Sequence, residues 1–207
     1  VETLEPVLTI YQGWNQVGNP FAFACCWDNV QVEKGGILKS TAAASSWINR
    51  HIWEYEDAYS FYPGGGHTGL IEPYAGVWGK AETSGCSLSS GPQAATRGPA
   101  RHTACPYLQL EVLQHIARDA CNFLGFAPDA QEGYDRHDVP EPPPIAPYVS
   151  LCFPHPEWQR GAGDYTQDIR SEREGPMQWH CLVRNSDKQA PCTLRWANTQ
   201  AIPPQYA

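Results

Sequence analysis

Short β-branched and aromatic runs, each broken by turn residues, make up most of this chain. Val7 to Tyr11 is one such run, and Gln12-Gly13 ends it; Trp14 to Gly18 resumes it before Asn19-Pro20. Val30 and Val32 alternate with polar neighbours ahead of the turn pair Gly35-Gly36. Ser46 to Tyr55 fits two templates, since Trp47, His51 and Glu54 match helical spacing while Ile52 to Tyr55 reads as a strand. A strand over 51–55 is the better reading, with Glu56-Asp57 as the turn and Ala58 to Tyr62 as the returning arm of a hairpin. Pro63 to Gly66 is a loop, and Gly76 to Glu82 is a further strand.

From Ser84 to Pro106 the composition shifts to Gly, Ser, Pro, Ala, Thr and Arg, with little to bury. The pattern therefore predicts an N-terminal β module over 1–84, a linker over 85–106 and a C-terminal β-sandwich module over 107–207. The second module opens on a period-two strand through Leu108, Leu110, Val112, Gln114 and Ile116, and Tyr148 to Phe153 is another apolar run. It closes on an expected hairpin, with Trp179, Cys181 and Val183 facing Cys192, Leu194 and Trp196 across an Asn185 to Pro191 connection. The fold class expected is mostly β: two antiparallel sandwich-like modules, with helix below roughly 15% against the usual third.

Composition narrows the partners. Twenty-two acids against 14 bases give a net charge of −8, and no basic run exceeds a pair, which argues against nucleic acid. No apolar run reaches the eighteen or so residues of a membrane span. The chain begins at Val1 and holds a single methionine, Met177, as expected of a chain whose leader was removed or of an excised fragment. Nineteen prolines, 18 glycines and 8 tryptophans suit an extracellular β protein. Eight cysteines without a C-x-x-C point away from zinc and towards disulfides in an oxidising compartment. Cys181 and Cys192, placed one on each arm of the terminal hairpin, are the expected bridge; the competing reading makes strand cysteines small hydrophobes. Cys25 and Cys26 are adjacent and poor partners for each other.

Gly13-Trp14-Asn15, Gly18-Asn19-Pro20, Trp27-Asp28, the Tyr-rich EYEDAYSFYP and then Pro73, Gly76 and Trp78 resemble a module that recurs in large secreted bacterial proteins. RDACNFLGFAPDAQEGYD, EPPPIAPYVSLCFPHPEW and DYTQDIR resemble the segment that follows it there. The resemblance implies a secreted or cell-surface β module, attached to proteases or adhesive repeats, with no activity of its own. Such modules continue past the equivalent of Ala207, so it also implies a sheet that is truncated or completed by another chain.

Three candidate sites follow. The proline-stiffened loop from Asp129 to Glu141 gathers Asp129, Glu132, Asp135 and Asp138, hard oxygen ligands suited to calcium, with Gly133 allowing a sharp turn. The competing reading makes these acids turn formers that cap backbone amides. Tyr55, Tyr59, Phe61 and Tyr62 are the expected ligand-binding set, a stacking platform for carbohydrate, against the alternative that they are core. Val7 to Tyr11, apolar and uncharged, is the least protected sheet edge and so the expected route of self-association. No G-x-S-x-G, H-E-x-x-H or phosphate loop occurs, and the seven histidines are scattered. The expectation is a non-catalytic extracellular structural or adhesive protein, a cell-surface module or filament subunit assembled by strand-edge contacts. A carbohydrate-binding module is the alternative, and a hydrolase with a dispersed site a third.

Overall fold

The computed structural model describes residues 7–90, 107–173 and 175–197. The chain divides into two compact units, Val1–Arg101 and His102–Ala207. Apart from two three-residue 3₁₀ turns, at Trp27–Asn29 and Thr41–Ala43, the regular structure is strand.

Among the described residues unit 1 holds ten strands: β1 (Val7–Ile10), β2 (Gly13–Gly18), β3 (Cys25–Cys26), β4 (Gln31–Lys34), β5 (Ile37–Ser40), β6 (Ile48–Tyr55), β7 (Tyr59–Tyr62), β8 (Leu70–Ile71), β9 (Gly76–Ala81) and β10 (Cys86–Ser89). They form one sheet in the order β1-β10-β4-β5, a second in the order β2-β9-β6-β7, and a β3-β8 ribbon, all antiparallel. A single buried cluster draws Ile10, Val32 and Leu88 from the first sheet and Val17, Ile52 and Val77 from the second. This is the alternation of a two-layer sandwich. Trp27 lies at its centre, fully buried, with its indole Nε1 donating to Arg50 O at 2.8 Å. The hairpin expected across Glu56-Asp57 forms, Ile52 to Tyr55 pairing with Tyr59 to Tyr62. The strand reading of Ser46 to Tyr55 holds because Ile48, Ile52 and Trp53 are all buried in a sheet.

The expected linker begins too early. Cys86–Ser89 is an inner strand hydrogen-bonded to β1 on one flank and β4 on the other. Its serines face out while Cys86 and Leu88 are buried, so a polar-looking composition hid a period-two strand. Residues 91–106, the rest of that linker, lie outside the described residues.

Unit 2 holds β11 (Tyr107–Gln114), β12 (Ala117–Phe126), β13 (Val139–Pro140), β14 (Val149–His155), β15 (Gly163–Arg170), β16 (Leu182–Asn185) and β17 (Thr193–Ala197). The sheet path is β16-β14-β15-β12-β11-β17, with β13 also on β15. Its turning point is β15. Tyr165 pairs with both Phe153 and Pro140, and Gln167 with both Phe123 and Val139. Because β13 holds one flank at both positions, β14 and β12 share the other, β14 along the first half and β12, in parallel, along the second. From that corner one layer runs out through β14 to β16, and the other through β12 and β11 to β17. The core between them joins Leu110 and Val112 of β11 to Val149, Leu151 and Phe153 of β14.

This topology overturns the terminal hairpin and the Cys181–Cys192 bridge. β16 pairs with β14 and β17 with β11, so the two expected arms end opposite layers. Trp179 and Cys181 precede the strand rather than belonging to it. Both cysteines are exposed free thiols.

Candidate functional site

The acidic loop closes on itself. Asp135 accepts the backbone N–H of Gln131 and of His137, each at 2.7 Å. Asp138 accepts from Asp135 N at 2.8 Å and from Ile169 N at 3.4 Å. Asp129 pairs with Arg136 and with His137 Nε2, and Glu132 lies 3.8 Å from Arg173. These are the contacts of turn-forming and capping acids, and among the described residues no group of three or more His, Cys, Asp or Glu is arranged to hold a metal ion. Asp138 is only 2% exposed, and burial, with the charges of Asp135 and Asp168 adding, pushes its carboxyl up to about 8.

Beside it lies a charged network that motif reasoning missed. Asp168, 1% exposed, receives Arg170 through both oxygens, Nε at 3.0 Å and Nη2 at 2.7 Å, and meets His155 Nε2 at 2.9 Å. His155 Nδ1 reaches Glu157 at 2.8 Å, and its ring stacks on Trp158 at 3.8 Å with planes 7° apart. Burial alone would lower the imidazole, but the bonds to Asp168 and Glu157 leave it raised. Burial likewise opposes the Asp168 anion, and His155 and Arg170 hold it below the usual carboxylate range. Both ring nitrogens face carboxylates, so neither can accept a proton from a nucleophile. The network is a clamp between β14 and β15. Its sequence signal was the same-face pair Asp168/Arg170, two apart on one strand, with Glu157 two residues past His155 in the turn that follows β14.

A second buried polar group lies against β14. Asp119 accepts Leu151 N at 2.8 Å and Glu141 accepts the Ser150 hydroxyl at 2.6 Å. Burial raises both carboxyls, and the charge of Asp119 raises Glu141 further. Cys121 and Cys152 are both pushed up to about 12, first by burial, then by Asp119 and Asp164 respectively. Thiols so shifted remain protonated and unreactive at neutral pH.

The expected stacking platform is divided. Phe61 and Tyr62 are buried, Phe61 under Gly65 and Tyr62 with its hydroxyl donating to Asp28 at 2.8 Å. Tyr55 is exposed and Tyr59 half-buried, and their rings meet at 65°, edge to face rather than coplanar. The four therefore present no common plane to a sugar.

The strand edges stand out instead. Large apolar side chains are exposed on β1 (Val7, Leu8), β5 (Ile37, Leu38), β16 (Leu182, Val183) and β17 (Leu194, Trp196). These four strands end the first sheet of unit 1 and the sheet of unit 2, each paired on one flank among the described residues. The β7 edge is treated differently: Gly65 folds back to exchange backbone hydrogen bonds with Phe61 at 2.9 and 3.3 Å. Native proteins normally blunt free edges in this way, with loops, charge or proline. Beside β1, Val7, Leu8, Val17, Val30, Ile71 and Leu88 line a cavity of about 300 Å³, so the first strand is loosely underpinned.

No protein-family model matches the chain, and neither a curated protein nor a solved structure matches it. Among the described residues no helix is long and apolar enough to cross a membrane.

Proposed function

We propose that this chain is a non-catalytic structural module of an extracellular or cell-surface assembly, and that its free sheet edges are its working surfaces. The observation that carries the reading is the placement of apolar side chains. A monomer gains nothing from Val7, Leu8, Ile37, Leu38, Leu194 and Trp196 in water, and each pair sits on a strand that is paired on one flank only among the described residues. The extracellular setting comes from the resemblance of the GWN, GNP and EPPP segments to secreted bacterial modules. The edge-to-face Tyr55–Tyr59 pair does not favour carbohydrate. Sedimentation velocity across a concentration series, with electron microscopy of the same samples, tests the reading: growth into oligomers or filaments supports it. A chain that stays monomeric at high micromolar concentration refutes it.

A further inference from the structure

Resting on that reading, we infer that the gap between β16 and β17 is a strand-acceptor slot, and that its occupant is the Val7–Ile10 strand of a second copy. The two strands end the two layers that diverge from β15, so they are the lips of an unclosed sandwich. Their connection holds the lips together at one end only, where Asn185 Nδ2 lies 3.3 Å from Cys192 Sγ and Gln114 bonds the carbonyls of Asp187 and Ala190.

Register shows what the slot offers. Leu194 pairs with Val112 and Trp196 with Leu110, so both side chains point the same way as two buried core residues. Val183 pairs with Leu151 and points into the core from the other layer. Yet Trp196 is 62% exposed, with Leu194 and Val183 exposed beside it. The core floor therefore continues beyond what covers it. Among the described residues two strand edges without a further partner bound the gap, and an extended peptide satisfies the backbone groups of both. Asn185 Oδ1, facing the core beside Val149, is a buried acceptor without a hydrogen-bond donor, which a backbone N–H of such a strand would supply.

The chain carries a fitting donor. β1 has no charged side chain and exposes Val7, Leu8 and Thr9, while Ile10 alone anchors it in the core. Leaving unit 1 breaks one ladder only, that with β10, and β1 already borders a cavity. β5 is apolar too, but it is the second arm of a hairpin turned by Gly35-Gly36 and cannot enter a slot bounded on both sides. Charge is compatible: Glu2 and Glu5 precede β1 in sequence, Lys188 stands in the connection between the lips, and Arg195 of β17 lies opposite Glu111 on the face away from Trp196. The acid of that connection, Asp187, is occupied by His115 at 3.5 Å. Donor and acceptor belong to different units, so a contact between copies is head-to-tail and propagates.

The test uses the full chain and three variants at exposed positions, each checked for a parent-like circular dichroism spectrum. Leu8→Lys spoils the donor, Trp196→Lys the acceptor, and Leu38→Lys the unrelated β5 edge. Each of the first two variants should weaken association at least about tenfold alone. Mixed, they should recover a one-to-one complex that grows no further, because one retains the slot and the other the strand. Leu38→Lys should associate as the parent does. A mixture that stays monomeric, or a Trp196→Lys chain that polymerises like the parent, overturns the slot. Loss of association in Leu38→Lys alone would overturn it too while keeping edge assembly, whereas a parent that never associates removes the assembly reading itself.

Discussion

Replacing Asp138 with Asn should change how stability depends on pH more than it changes stability itself. Asp138 is 2% exposed, accepts two backbone N–H groups and has buried Asp168 as a like-charged neighbour. Its carboxyl titrates at about 8 in the folded chain against an ordinary 3.8. Between those values the folded state holds a proton that the unfolded state has lost. Stability therefore falls as pH rises through that window, by about 1.4 kcal/mol per pH unit at most, and levels off above the folded value. Asn cannot titrate. Measured as a difference between parent and variant, the other titrating groups cancel, among them His155, Asp168, Asp119 and Glu141.

At low pH the variant should be weaker by about 1 kcal/mol, since an amide oxygen serves one N–H well and its NH₂ opposes the other. Between about pH 5 and pH 7 the balance should then swing towards the variant by about 2–3 kcal/mol. Urea denaturation followed by tryptophan fluorescence at half-unit steps of pH reads this directly. A stability gap that stays constant across that range would show that Asp138 is ionised when folded, and would refute the reasoning. The same outcome would reopen the loop as a cation site.

Arg170→Leu should cost about 3–5 kcal/mol, measured by chemical denaturation, because it strands the buried Asp168 carboxylate with His155 alone. Gly65→Ala should cost about 1–3 kcal/mol by the same assay, since a Cβ there would lie 2.2 Å from the Phe61 ring and push the loop off the β7 edge. In the native chain Cys181 and Cys192 should alkylate rapidly while Cys152 reacts only on unfolding, as mass spectrometry of iodoacetamide-treated protein will show; a Cys181–Cys192 peptide recovered intact under non-reducing conditions would contradict the sheet order.

Much of unit 1 was legible because its strands are short, antiparallel neighbours whose turns are written locally. Gly35-Gly36 and Glu56-Asp57 each mark a reversal, Gln12-Gly13 marks only the passage from one sheet to the next, and alternation places Val17, Val32 and Val77 inwards. Cys86–Ser89 escaped because its two apolar positions, Cys86 and Leu88, are too few to stand out from the Gly-, Ser- and Pro-rich residues around them. In unit 2 the local signals misled. Ala117–Phe126 and Gly163–Arg170 pair in parallel, a non-local contact that no turn announces. They also carry Asp119, Asn122 and Asp168, whose polar groups are met by partners from other strands. The acidic loop was found for its composition, yet its chemistry lies in who answers each carboxylate, and three of those partners, Ile169, Arg173 and His137, are set by tertiary placement.

The same logic explains why the expected hairpin of unit 2 failed in an informative way. A seven-residue connection between two apolar arms is a hairpin signal on any local reading. Closing it would bury Val183 against Leu194 but would also join the edges of two layers 10 Å or so apart, the usual spacing of packed sheets. Those layers are already held open by Leu110, Val112, Leu151 and Phe153 between them. Pairing the lips would require that core to be thinned to one strand's separation, about 4.8 Å. The lips stay apart because the core is full, and a strand entering between them costs no core side chain its place. An unclosed sandwich with apolar lips is thus the arrangement that the packing of Leu151 against Val112 imposes, and it leaves recruitment of a further strand as the way to cover Trp196 and Leu194.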